Sequence, residues 1–213
     1  MISYDDILAW VHRFAIVVAE NKSYLTELDS AIGDADHGIN MDRGFTAVVA
    51  KLDGPDGLAG SDVGATLKVV GTTLISKVGG ASGPLYGMFF LQMGGAVVGK
   101  EALTLEEFAT AFQKGLDGVV RIGKAEPGDK TMVDALIPAR DALSAAIADG
   151  ASVGEAVARM ARGAEEGMLA TVPLVARKGR ASYLGERSAG HPDPGATSSH
   201  LLLRSAAEVW AGR

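Results

Sequence analysis

The chain contains no cysteine, which excludes disulfides, thiolate metal sites and a cysteine nucleophile. It also lacks an excess of positive charge: 20 Lys and Arg stand against 26 Asp and Glu, for a formal net charge of −6. That balance argues against a protein that grips nucleic acid or an anionic membrane mainly by neutralising phosphate. A phosphorylated ligand would have to be held with the help of added cations. Asp5 and Asp6 follow Met1 closely, so the start lacks the basic and then apolar layout of a signal peptide and reads as cytoplasmic. No run alternates apolar and polar residues between turn signals, which predicts no sheet. There is no fixed-period repeat and no low-complexity tract. The phosphate motifs G-x-x-x-x-G-K-[ST] and G-x-G-x-x-G are both missing, which removes the P-loop and Rossmann nucleotide binders.

Charge is absent from one long stretch. Residues 78–99 hold no charged side chain over 22 positions, seven of which are glycine, with Pro84 and Gln92 among the rest. The length would span a bilayer, but a loop-like Gly79-Gly80-Ala81-Ser82-Gly83 opens it and large lipid-facing side chains are scarce. It is better read as a helix packed closely by its neighbours.

What is present is apolar periodicity at helical spacing. Apolar residues make up 47% of the sequence, ample for a core, and nothing divides residues 1–213 into two parts of different character, so one domain is expected. Ile7, Trp10, Val11, Phe14, Val17 and Val18 line one face of a first helix, with Ser3 and Asp6 as its capping signal. The same signal recurs at Thr104 with Glu107 and at Ser152 with Glu155. Further helices are expected near 40–52, 61–77, 83–99, 131–149 (with a kink at Pro138) and 196–211. That makes eight, and the abundance of small residues suggests a tight antiparallel all-α bundle or barrel.

Glycine and polar residues collect in four connections, 33–40, 79–83, 123–130 and 177–195. The last, at 19 residues, is long for a helix connection and calls for a functional reason. In the first, Asp29, Asp34 and Asp36 form a D-x₄-D-x-D cluster. Three carboxylates so close repel unless a cation sits among them, and hard oxygen donors favour Mg²⁺ or Ca²⁺. An EF-hand is excluded, because counting from Asp34 puts Ile39 where the invariant glycine belongs and Phe45 where the bidentate Glu belongs. Helix-capping aspartates are the plainer alternative. Gly79–Gly83 precedes the uncharged helix, whose first N–H groups would attract an anion; a glycine-rich turn with no ligand is the plainer alternative. Gly128-Asp129-Lys130-Thr131 reads as a helix N-cap at Thr131. Residues 177–190 carry Arg177, Lys178, Arg180 and Arg187 against Glu186 alone, a basic loop suited to phosphate or simply solvated. Of the four histidines, His12 and His200 fall within helices and His37 and His191 within the motif loops, with no metal-ligand spacing between any pair.

Residues 29–44 (DSAIGDADHGINMDRG), 79–87 (GGASGPLYG), 128–135 (GDKTMVDA) and 178–198 (KGRASYLGERSAGHPDPGATS), in this order, resemble the L subunit of bacterial dihydroxyacetone kinase and the matching C-terminal domain of single-chain dihydroxyacetone kinases. The resemblance implies an eight-helix antiparallel barrel with ADP or ATP bound at its loop-bearing end. It implies that Asp29, Asp34 and Asp36 bind two Mg²⁺, that His37, Gly38, Ile39, Asn40, Ala81 and Ser82 contact phosphates or ribose, and that Gly123, Met132, Arg180, Asp193 and Pro194 complete the pocket. Ser82 and Arg180 would stabilise phosphate charge, with no covalent catalytic residue. The implied partners are a K subunit that carries the ketone and an M-type phosphocarrier subunit; free ATP as donor and a homodimer stay open. Rival readings are a kinase subunit for another ketose such as a tetrulose, a relative of fatty-acid kinase modules, and a non-catalytic helical ligand-binding module.

Overall fold

A computed structural model of the chain describes residues 1–54 and 62–213. Among the described residues there are nine α-helices, a 3₁₀ segment and one minimal strand pair. The first helix, α1 (Tyr4–Glu20), starts at the expected capping box: Asp6 N–H donates to Ser3 Oγ and Ser3 N–H donates back to Asp6 Oδ2 at 2.8 Å. A short α2 (Lys22–Ile32) follows, then α3 (His37–Leu52), α4 (Val63–Lys77) and α5 (Ser82–Ala96). Beyond these come α6 (Leu105–Gly123), α7 (Met132–Ala148), α8 (Val153–Ala170), the 3₁₀ segment Arg180–Ser188 and α9 (Pro194–Trp210). The helix expected over 61–77 begins, within the described residues, at the Asp62 cap, whose carboxylate accepts Ala65 N–H; Ser61 lies outside them. Thr104 and Glu107 form a full capping box, whereas Ser152 accepts from Glu155 N–H without the reciprocal bond.

Two expectations are corrected. A ninth helix, α2, went unread because only Leu25 and Ile32 are buried along it and Asn21 gives it no side-chain cap. The expected absence of sheet gives way to one antiparallel pair, Ile2–Ser3 with Ala102–Leu103, in register Ile2 with Leu103. Both segments are the extended residues that lead into the caps of α1 and α6, too short for alternation to show.

The other eight helices pack as a closed ring in the order α1, α3, α4, α5, α6, α7, α8, α9 and back to α1. The ring closes through two indoles: Trp10 Nε1 donates to Leu202 O at 2.9 Å and Trp210 Nε1 to Asp6 O at 3.0 Å. Inside, Trp10, Phe14, Phe45, Phe89, Phe90, Phe108, Phe112 and Trp210 meet mostly edge to face.

Glycine sets the spacing of the walls. A Cβ added at Gly71 would stand 2.6 Å from Gly87 O, and one at Gly87 would stand 2.8 Å from Gly71 O, so α4 and α5 touch backbone to backbone. This is the packing that the uncharged segment requires, and no helix among the described residues is long and apolar enough to cross a membrane. The seventh helix runs unbroken past Pro138, with Gly163 and Gly167 of α8 pressed against it.

Candidate functional site

The starts of α3, α5, α7 and α9 and the ends of α2 and α6 line one cleft of about 730 Å³. Because α3, α5, α7 and α9 are alternate members of the ring, their common end means that neighbours run antiparallel. It also means that four helix N-termini, each a partial positive charge, converge on the same space.

The acidic cluster forms at the α2–α3 junction. Asp29 Oδ2 accepts the N–H groups of Asp36 (2.8 Å) and His37 (3.1 Å), which caps α3. The capping alternative is thus true of Asp29, but not of Asp36, whose side chain makes no cap bond although it stands at the N-cap. Between Asp34 and Asp36 the chain turns at Ala35, φ +61°, a left-handed conformation that costs an L-residue about 1 kcal/mol. One oxygen from each of Asp29, Asp34 and Asp36 lies within 4.8 Å of the others. A close set of hard carboxylate oxygens fits a small divalent cation, and one cation already answers it: Arg180 Nε lies 2.7 Å from Asp34 Oδ2.

Opposite stands the glycine turn. Gly80 adopts φ +66°, and a Cβ there would meet nothing within 4 Å, so the turn leaves open space. Neither Ala81 nor any other side chain caps α5, which leaves its first N–H groups available. The side chain of His37 is buried and turned away from open solvent, with Nδ1 at 3.0 Å from Ser82 Oγ and Nε2 at 2.9 Å from Ser198 Oγ. Burial holds its pKa below the ordinary imidazole value, against the pull of Asp29 and Asp36.

The long connection folds over the cleft as a flap. Arg177, Lys178, Arg180 and Tyr183 line it from above, while Ala176, Ala181 and Leu184 seat the flap on Ile32 of α2. Its neck is tied by Lys130, a residue that motif reasoning passed over. Lys130 is 1% exposed, and its ammonium donates to Thr171 O (2.6 Å), His191 O (2.5 Å) and, more weakly, Val172 O (3.5 Å). Thr131 caps α7 as expected, in a box with Asp134. Asp193 caps α9 by accepting Ala196 N–H at 2.7 Å. Burial raises its pKa to about 7, although Ala196 N–H and Lys130 pull the other way.

Of the residues singled out in the sequence, Asp29, Asp34, Asp36, His37, Ala81, Ser82, Gly123, Met132, Arg180, Asp193 and Pro194 all line the cleft. Gly38, Ile39 and Asn40 do not stand in its wall. Gly38 lies against α2, where a Cβ would collide with the Lys22 carbonyl. Asn40 Oδ1 accepts Arg43 Nη2 at 2.7 Å, and Arg43 in turn donates to Lys77 O at the end of α4. Ile39 is 46% exposed.

A family model described as "DAK2 domain" matches residues 31–208. The chain is 47% identical over 203 residues, 95% of each chain, to the ADP-binding subunit DhaL of the PEP-dependent dihydroxyacetone kinase of Escherichia coli. It is 42% identical, over 99% of its own length and 100% of the relative's, to the ADP-binding subunit DhaL of the PTS-dependent dihydroxyacetone kinase of Lactococcus lactis. Among solved structures, the dihydroxyacetone kinase of C. freundii in complex with AMP-PNP and Mg²⁺ superimposes with a TM-score of 0.70 at 26% identity, covering 93% of this chain and 33% of that one.

Proposed function

The chain belongs to the DAK2 domain family, and on that premise we propose that it is the nucleotide-holding subunit of a dihydroxyacetone kinase. The observation that carries this reading is the convergence of the acidic triad and four helix N-termini on one cleft. Neither feature alone selects a ligand. Together they suit a diphosphate held through metal ions on one side and backbone N–H groups on the other.

Asp29, Asp34 and Asp36 would hold the magnesium, two ions by family resemblance. Bound there, magnesium supplies neutralisation of the charge that builds on the phosphates during transfer. The residues of the chain supply position. Gly80, Ala81 and Ser82 give the phosphates an approach unobstructed by bulky side chains, and Ser82 adds a hydroxyl. Arg180, already beside Asp34, would bring a guanidinium to share the charge of the transferred group. Burial of the transfer under the flap keeps water from competing as acceptor. The ketone acceptor would be carried by a separate K subunit docked at the cleft mouth, and ADP would be rephosphorylated in place by a phosphocarrier subunit, in keeping with the relatives' description as PEP- and PTS-dependent.

Reconstitution tests the reading. The chain loaded with ADP and Mg²⁺ should produce dihydroxyacetone phosphate when combined with a K subunit and a phosphocarrier system, and Asp34→Asn should abolish production. Turnover that persists in Asp34→Asn would contradict it.

A further inference from the structure

Beneath the glycine turn runs a buried chain of hydroxyls broken by one imidazole. Ser82 Oγ is 3.0 Å from His37 Nδ1, and His37 Nε2 is 2.9 Å from Ser198 Oγ. Ser198 Oγ is 2.7 Å from the Tyr86 hydroxyl, which is 3.0 Å from Ser199 Oγ. His37, Tyr86, Ser198 and Ser199 are buried and Ser82 is half-buried, and Ser82, His37 and Tyr86 all stand in the wall of the cleft. The links join the first two turns of α5 and α9 to the start of α3. The Tyr86 hydroxyl lies within reach of Ser198 and Ser199 and, more weakly, of Gly195 O at 3.4 Å, so it is engaged by α9.

A neutral imidazole carries one ring proton, so one nitrogen donates and the other accepts. Two arrangements follow. In the inward one, His37 Nε2–H donates to Ser198, Ser198 donates to Gly195 O at 3.1 Å, and Ser82 donates to the bare Nδ1. Ser82 then turns only lone pairs toward the cleft. In the outward one, Ser199 donates to Tyr86, Tyr86 to Ser198, Ser198 to His37 Nε2, and His37 Nδ1–H to Ser82. The Ser82 hydrogen is then free for an anionic oxygen. The ring remains neutral in both, so the two differ in where protons sit and not in how many there are.

We propose that Tyr86 is a positioning residue for the phosphate site: by donating to Ser198 it supports the Nδ1–H form of His37, which frees the Ser82 hydroxyl to donate to a ligand phosphate oxygen. This deepens the nucleotide reading and rests on it. Every link of the outward arrangement polarises the next in the same sense. Phenylalanine at position 86 keeps the ring but removes the donor, leaving Ser198 to accept from His37 and donate to Gly195, which is the inward arrangement.

Nitrogen-15 NMR of the histidine side chains in the full chain, with and without Mg-ADP, tests the proposal. The wild-type complex should carry the His37 proton on Nδ1. Tyr86→Phe at saturating Mg-ADP should carry it on Nε2 and bind Mg-ADP about three- to tenfold more weakly, the worth of one hydrogen bond. In a Ser82→Ala background, Tyr86→Phe should cost no further affinity, whereas simple loosening of the fold would cost the same in both backgrounds. A wild-type complex with the proton on Nε2, or an equal loss with and without Ser82, overturns the proposal. If the wild-type chain binds no Mg-ADP, the nucleotide reading fails and takes this one with it; binding with the proton on Nε2 sinks the relay alone.

Discussion

Arg180 Nε stands 2.7 Å from Asp34 Oδ2, joining the flap to the acidic cluster through a pair that is largely exposed, 68% and 37% of the two side chains. An ion pair so wet is worth little, so under the proposed function a divalent cation at Asp34 would displace the guanidinium at small cost and would leave it free for the phosphates. Arg180→Met should therefore bind Mg²⁺ as well as the wild type, or up to about twofold tighter, in the absence of nucleotide. Its phosphoryl-transfer rate with partner subunits should fall about 100-fold, the scale of losing one donor to developing charge. Calorimetric Mg²⁺ titration and a coupled turnover assay check the two halves separately.

Asp193 should make stability depend on pH. Its carboxyl titrates near 3.8 when unfolded and is raised to about 7 in the fold, chiefly by burial. The folded chain thus keeps a proton that the unfolded chain releases between those values. The contribution is complete below about pH 4 and is lost as the pH rises through about 7. Asp193→Asn retains an oxygen for Ala196 N–H but cannot ionise. Urea melts should find the variant more stable than the wild type at pH 8, by up to about 4 kcal/mol, with the gap closing toward pH 4.

Lys130 holds the neck of the flap by its buried ammonium. Lys130→Met keeps most of the volume and strands the carbonyls of Thr171 and His191, so unfolding free energy should drop by roughly 2–4 kcal/mol. Trypsin should then cleave the flap among Arg177, Lys178 and Arg180 faster than in the wild type at the same urea concentration.

The glycine-to-glycine contact between α4 and α5 predicts a cost out of proportion to one methyl group. Gly71→Ala would place a carbon 2.6 Å from Gly87 O, where backbone cannot yield. Despite the better helix propensity of alanine, it should destabilise the chain by about 2 kcal/mol or more in denaturant melts.

The sequence was most informative where the signal is local. The boxes at Ser3 and Thr104 each complete themselves within four residues, and both were legible. The clustering of Asp29, Asp34 and Asp36 needed only one turn of chain. The second helix was not legible, since it lies outside the ring and buries too little to show a period. Lys130 was hidden for another reason: its partners are backbone carbonyls 41 and 61 residues away, and a carbonyl leaves no trace in residue identity. The Tyr86–Ser198 contact spans 112 positions and has no motif. Gly38 and Asn40 sit inside the motif and also pack, Gly38 closing α3 on α2 and Asn40 tying α3 through Arg43 to the end of α4, contacts with distant parts of the chain that no local pattern shows.

Under the proposed function the carboxylates and the helix starts would hold one Mg-nucleotide between them. Thermal unfolding with ADP at about 100 times its dissociation constant should show some 2.7 kcal/mol of stabilisation in the presence of Mg²⁺, none in EDTA, and none for Asp34→Asn under either condition. Stabilisation by ADP that survives both EDTA and Asp34→Asn would contradict it.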